Sequence, residues 1–177
     1  MTQHVHHAGC GCLELLSRRR ALGLGVGALA AAAVPAFALD TGYEAMLVKC
    51  IDPRFTTNTW AYMSTRGWQN LYSQFNIAGG PIGIVAPVFA DWQKTYWDNL
   101  KITYDLHEVK RVVAITHRDC GAAVVAYGER IKTDKAFETK THAGALNQFR
   151  DEVVKRYPDL KVELGIMDLT GAVESVA

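Results

Sequence analysis

Five residues in two short clusters carry the chemistry this sequence offers: Cys50, Asp52 and Arg54 in Cys50-Ile51-Asp52-Pro53-Arg54, and His117 and Cys120 in His117-Arg118-Asp119-Cys120. Two thiolates and one imidazole make three protein ligands for a zinc ion. A zinc ion with three protein ligands keeps its fourth tetrahedral position for water, as catalytic zinc sites do. Zinc brings the pKa of that water to near 7, so a hydroxide nucleophile is available at neutral pH. Thiolates donate more charge than imidazoles and oppose this shift, which makes a nearby acceptor for the water proton useful. Asp52 suits that role, with Arg54 keeping the carboxylate ionised and oriented through its planar fork. The competing readings are a Cys50–Cys120 disulfide and, for Asp52 with Arg54, a surface ion pair worth little. The spacing favours metal, because His117 precedes Cys120 by three positions and both side chains can converge where a strand ends.

The elements that must position these residues follow from the hydrophobic pattern. Residues 44–50 form an apolar run that ends in the first cluster and predicts a buried strand. Residues 111–116, rich in β-branched side chains, predict the strand that delivers His117. Between them, residues 56–72 predict a helix with Trp60, Met63, Gly67 and Leu71 on one face, an aromatic stripe expected in the core. The Asn76-Ile77-Ala78-Gly79-Gly80-Pro81 stretch is a turn-rich break, and residues 82–85 fit either a strand or the entry to a helix. Helices are predicted over residues 89–106, from Gly121 onward, and over 140–157, where Pro158 ends the last; residues 162–167 predict a closing strand. Strands separated by helices predict an α/β fold, a mostly parallel β-sheet flanked by helices. Ligands of such sheets gather at the carboxyl ends of strands, where both clusters fall.

Composition excludes a nucleic-acid partner. Lys and Arg total 19 against 18 for Asp and Glu, and the longest basic run is Arg18-Arg19-Arg20, so the electrostatic footprint of a nucleic-acid binder is missing. That run instead belongs to a twin-arginine-type signal peptide over residues 1–38. Ser17-Arg18-Arg19-Arg20-Ala21-Leu22 has the twin-arginine form, residues 21–38 are uncharged, and Ala36-Phe37-Ala38 has the small-x-small form of a cleavage site. The expected destination is the periplasm, with transient membrane contact during export; an uncleaved membrane anchor is the alternative. Cleavage removes Cys10 and Cys12 and leaves Cys50 and Cys120 as the thiols of the mature domain, residues 39–177. His4, His6, His7, Cys10 and Cys12 read as a polar leader of no lasting role rather than as a metal site, since they precede the cleavage point.

Cys50-x-Asp52-x-Arg54 followed by His117-x-x-Cys120-Gly121 resembles the zinc motif pair of β-class carbonic anhydrases, and the similarity extends through Ala78-Gly79-Gly80 over most of residues 45–170. The resemblance implies a β-carbonic-anhydrase-like zinc domain with Cys50, His117 and Cys120 as the zinc ligands. Asp52 and Arg54 would be the catalytic pair beside the metal. The implied activity is that of a lyase, the zinc-dependent reversible hydration of carbon dioxide to bicarbonate by a zinc-bound hydroxide. In a closed state the Asp52 carboxylate would leave Arg54 and take the fourth zinc position. A homodimer or higher homo-oligomer is implied as well. Two alternatives share the site: a carbonyl sulfide or carbon disulfide hydrolase, and an exported zinc-binding protein without turnover. For the proton that leaves the site, His107 and His142 are candidates by acidity range alone, each expected to be an ordinary surface or capping histidine.

Overall fold

The computed structural model describes residues 42–177. The signal peptide, its anchor alternative and the His/Cys tract lie outside the described residues. Five strands form one sheet: β1 (Ala45–Lys49), β2 (Tyr72–Asn76), β3 (Arg111–His117), β4 (Lys161–Met167) and β5 (Val173–Val176), in the spatial order β2-β1-β3-β4-β5. The first four pair in parallel, and β5 runs antiparallel along β4. The helices are α1 (Thr56–Thr65), α2 (Pro81–Val85), α3 (Ala90–His107), α4 (Gly121–Tyr127), α5 (Arg130–Thr133) and α6 (Lys135–Arg156). This is the mostly parallel, helix-flanked α/β sheet that the alternating pattern predicts. Among the described residues no helix is long and apolar enough to cross a membrane.

Both faces of the central strands are covered, so β1 and β3 read as continuous apolar runs rather than alternating ones. Met46, Val48, Val112 and Ala114 point to one layer, where they meet Ile82 and Ile84 of α2, Tyr96 and Leu100 of α3, and Leu146, Phe149 and Val153 of α6. Ala45, Leu47, Val113 and Ile115 point to the other, where Phe55 and Met63 of α1's side cover them. Full burial of a side chain such as Leu47 or Phe149 contributes about 2 kcal/mol. The two strands that end in the clusters are thus the most firmly held backbone of the sheet.

Several expectations change. The predicted helix over 56–72 stops at Thr65; Gly67 and Asn70 then take positive φ, and Tyr72 opens the edge strand β2. Trp60 is exposed rather than core, and Leu71 lies outside the helix; Met63 carries the buried face. Residues 82–85 are helical. The long last helix begins at Lys135, five residues early, because the Asp134 side chain caps it by accepting the Phe137 N–H at 2.9 Å.

Candidate metal centre

β1 is flanked by β2 on one side and β3 on the other, so the connections leaving β1 and β3 diverge and open a crevice at their carboxyl ends. Cys50 directly follows β1 and His117 closes β3, and both therefore face this crevice although 67 positions separate them. Cys120 joins them one short turn later, at the N-cap of α4. The three ligand atoms lie within 4.8 Å of one another, all on buried residues, and can hold a metal ion. Cys50 and Cys120 are free thiols.

Each ligand is aimed by its surroundings. The His117 ring packs on Phe55, with centroids 4.2 Å apart, and its Nδ1–H donates to the Arg118 carbonyl at 2.9 Å. A carbonyl can only accept, so this bond fixes the tautomer and leaves Nε2 as a bare lone pair. Nε2 is buried and has no partner, an arrangement that costs about 1–3 kcal/mol unless something ligates it. Cys50 Sγ accepts the Gly79 N–H at 3.2 Å. Gly80, at φ 57°, lies so close to the Cys50 backbone that a Cβ there would come within 2.9 Å of the Cys50 nitrogen. The glycine break thus forms a cradle against Cys50.

Electrostatics ready one of the two thiols for a cation. The Cys120 thiol hydrogen bond, helped by the Asp52 and Gly79 amides, pulls the Cys50 thiol well below the usual cysteine range against its burial. Cys120 is pushed up by that same contact with Cys50, by burial and by the charge on its neighbour. An imidazole lone pair with one thiolate and a second ionisable thiol is a soft donor set that suits zinc.

Asp52 and Arg54 stand beside these ligands. The Asp52 Oδ1 accepts the Arg54 backbone N–H at 3.0 Å and caps the short 3₁₀ turn Pro53–Phe55, while the Arg54 guanidinium grips both carboxylate oxygens, Nη2 to Oδ2 at 2.7 Å. That grip holds the Asp52 carboxyl down at about 2. Oδ2 is 4.0 Å from His117 Nε2. Arg54 also reaches the other cluster, Nη1 to Asp119 Oδ2 at 2.8 Å and Nη2 to the Asp119 carbonyl at 3.2 Å, so it straps the two motif halves together.

Three residues of this neighbourhood carry no sequence signal. Lys49 is buried at the end of β1, where desolvation lowers its ammonium pKa against the opposing pull of Cys50 and Asp52. Arg118 and Glu138 pair beneath the second cluster. Of the two histidines considered for proton transfer, His107 sits in the last turn of α3 with Nδ1 2.7 Å from Ser73 Oγ. His142 is no surface residue: it is fully buried on α6, with both ring nitrogens unpartnered. A groove of about 720 Å³ lined by Tyr127, Arg130, Phe137 and Lys140 includes none of the motif residues.

The fold defined by this sheet and crevice is that of β-carbonic anhydrases. Solved structures that share it include a tetrameric β-carbonic anhydrase of Sordaria macrospora, 14% identical over 77% of this chain and 81% of that one, with a TM-score of 0.51. They also include the β-carbonic anhydrase CafA of Aspergillus fumigatus (14%, 80% and 78%, TM-score 0.52) and a Coccomyxa β-carbonic anhydrase bound to acetazolamide (14%, 76% and 72%, TM-score 0.51). No family model matches the chain. It belongs to the family of two uncharacterized Rickettsia proteins: that of Rickettsia conorii is 31% identical over 74% of this chain and 70% of its own length, and that of Rickettsia bellii is 30% identical over 74% and 80%.

Proposed function

We propose that the chain is a zinc enzyme that hydrates carbon dioxide reversibly to bicarbonate and a proton. The observation that carries this reading is the convergence of Cys50, His117 and Cys120 within 4.8 Å, with the Asp52 carboxylate 4.0 Å from His117 Nε2. Zinc held there would supply a water acidified to near neutrality as nucleophile. The chain's own part begins with charge. The Gly79 N–H draws density from the Cys50 thiolate and so limits how strongly that thiolate opposes the acidification. Asp52, kept ionised and oriented by Arg54, accepts the nucleophile's proton in a hydrogen bond and directs its lone pair toward the substrate. Arg54, strapped also to Asp119, keeps Asp52 at that station. In a closed form Asp52 would leave Arg54 and become a fourth ligand. The fold relatives are carbonic anhydrases by name, which supports the choice of carbon dioxide.

The twin-arginine pattern and the uncharged residues 21–38 support export to the periplasm, with residues 39–177 as the mature domain. The tetrameric relative supports a homo-oligomer. The test is carbon dioxide hydration followed by pH-indicator stopped flow on zinc-loaded protein, run beside carbonyl sulfide and carbon disulfide hydrolysis. Hydration activity is the expected result. Hydrolysis of the sulfur compounds alone would reassign the substrate, and a zinc-replete protein inactive in every assay would make it a binding protein.

A further inference from the structure

His117 and Cys120 can serve one metal only if the two residues between them turn the chain sharply. Asp119 makes that turn at φ 58°, a left-handed conformation that residues with a Cβ rarely adopt. Beside the Arg54 strap, what holds its backbone N–H there is a carboxylate from α6, 19 residues further along the chain. Glu138 has a side chain 12% exposed. Its Oε1 accepts the Asp119 N–H at 3.0 Å and its Oε2 accepts from Arg118 Nη1 at 3.1 Å. Arg118 is tied in turn to Thr139 Oγ1 at 2.7 Å and to Glu174 of β5 at 3.1 Å. Both residues between His117 and Cys120 are therefore bonded to the same carboxylate, while His117 Nε2 is left without a partner.

We propose that Glu138 is a positioning residue that presets the His117–Cys120 loop for the metal, an inference that rests on the zinc reading above. Groups that orient metal ligands in this way change metal affinity about tenfold to a hundredfold when removed. Glu138→Leu deletes both bonds; Glu138→Gln keeps an oxygen that can accept the Asp119 N–H. Zinc dissociation constants measured by chelator competition should rise for Glu138→Leu within that range and recover most of the way in Glu138→Gln. The cobalt(II) absorption bands should broaden in the Leu variant and regain the wild-type form in the Gln variant. A merely structural role would lower the melting temperature of the metal-free variants and leave both the dissociation constants and the bands unchanged. A second measurement needs no variant: in metal-free wild-type protein the Asp119 amide should be protected from hydrogen exchange although the residue is exposed. Equal zinc affinity in folded variants, or free exchange at Asp119, overturns the inference while leaving the zinc reading intact. Failure of the wild type to bind zinc overturns both.

Discussion

Asp52 and Cys120 separate the two tasks of the site. Asp52→Asn keeps the shape of the side chain but cannot hold a carboxylate's charge against Arg54, so zinc content should stay near that of the wild type while turnover falls by about a hundredfold or more, in the range of lost proton-transfer groups. Metal analysis beside stopped-flow hydration checks both halves, and full activity in this variant would remove Asp52 from the mechanism. Cys120→Ser replaces a soft thiolate by a hydroxyl that does not ionise near neutral pH, and should abolish stoichiometric zinc. The convergence of Cys50, His117 and Cys120 was legible because thiol and imidazole types at a three-residue spacing have few other uses. Glu138 was not legible. A glutamate in a polar helix reads as solvent-facing, and only the tertiary fold reveals that its oxygens meet Asp119 and Arg118. Lys49 carried no signal of its own either, a charge at the end of an apolar run that the fold buries.

At the scale of elements, the crevice depends on the glycine break after β2. Gly80→Ala would set a Cβ 2.9 Å from both the Cys50 nitrogen and the Lys49 carbonyl carbon, at a φ of 57° that an L residue resists. The expected cost is about 1–3 kcal/mol, read from denaturant unfolding, together with weaker zinc binding because Cys50 must shift. An unchanged unfolding midpoint would mean that the cradle is not tight. β1 and β3 were legible as apolar runs because both of their faces are buried, and β4 because its last four residues are. β2 was missed, since Tyr72-Ser73-Gln74-Phe75-Asn76 lies at the sheet edge, half exposed and without a β-branched residue. β5 is a four-residue antiparallel edge strand and gave equally little pattern. For α1 a helix was expected, but its length and its buried face were not. Nothing in periodicity says that Met63 turns inward while Trp60 meets solvent; the packing of Phe55 and Met63 on Leu47 and Val113 decides it.

For the whole molecule, the buried His142 makes stability depend on pH. Burial chiefly, with Arg118 and His117 adding to it and Glu138 opposing, lowers its folded pKa to about 4, against 6.5 when exposed. Between these values the unfolded chain binds a proton that the folded one refuses, so this contribution is fully present above about pH 6.5 and is lost as pH falls toward 4. It is worth on the order of 3 kcal/mol. Unfolding midpoints of the metal-free protein should therefore drop over that window, and His142→Leu should flatten the drop; parallel profiles would contradict it. The fold, the crevice and the three converging donors meet in a single claim, that two sulfurs and one nitrogen hold zinc and leave one position open. Zinc K-edge absorption of the loaded protein tests it most directly. Two sulfur and two lighter neighbours per zinc, the imidazole and a solvent oxygen, are the expected result. A shell of four sulfurs, or protein with Cys50 oxidised onto Cys120 and no bound zinc, would contradict it.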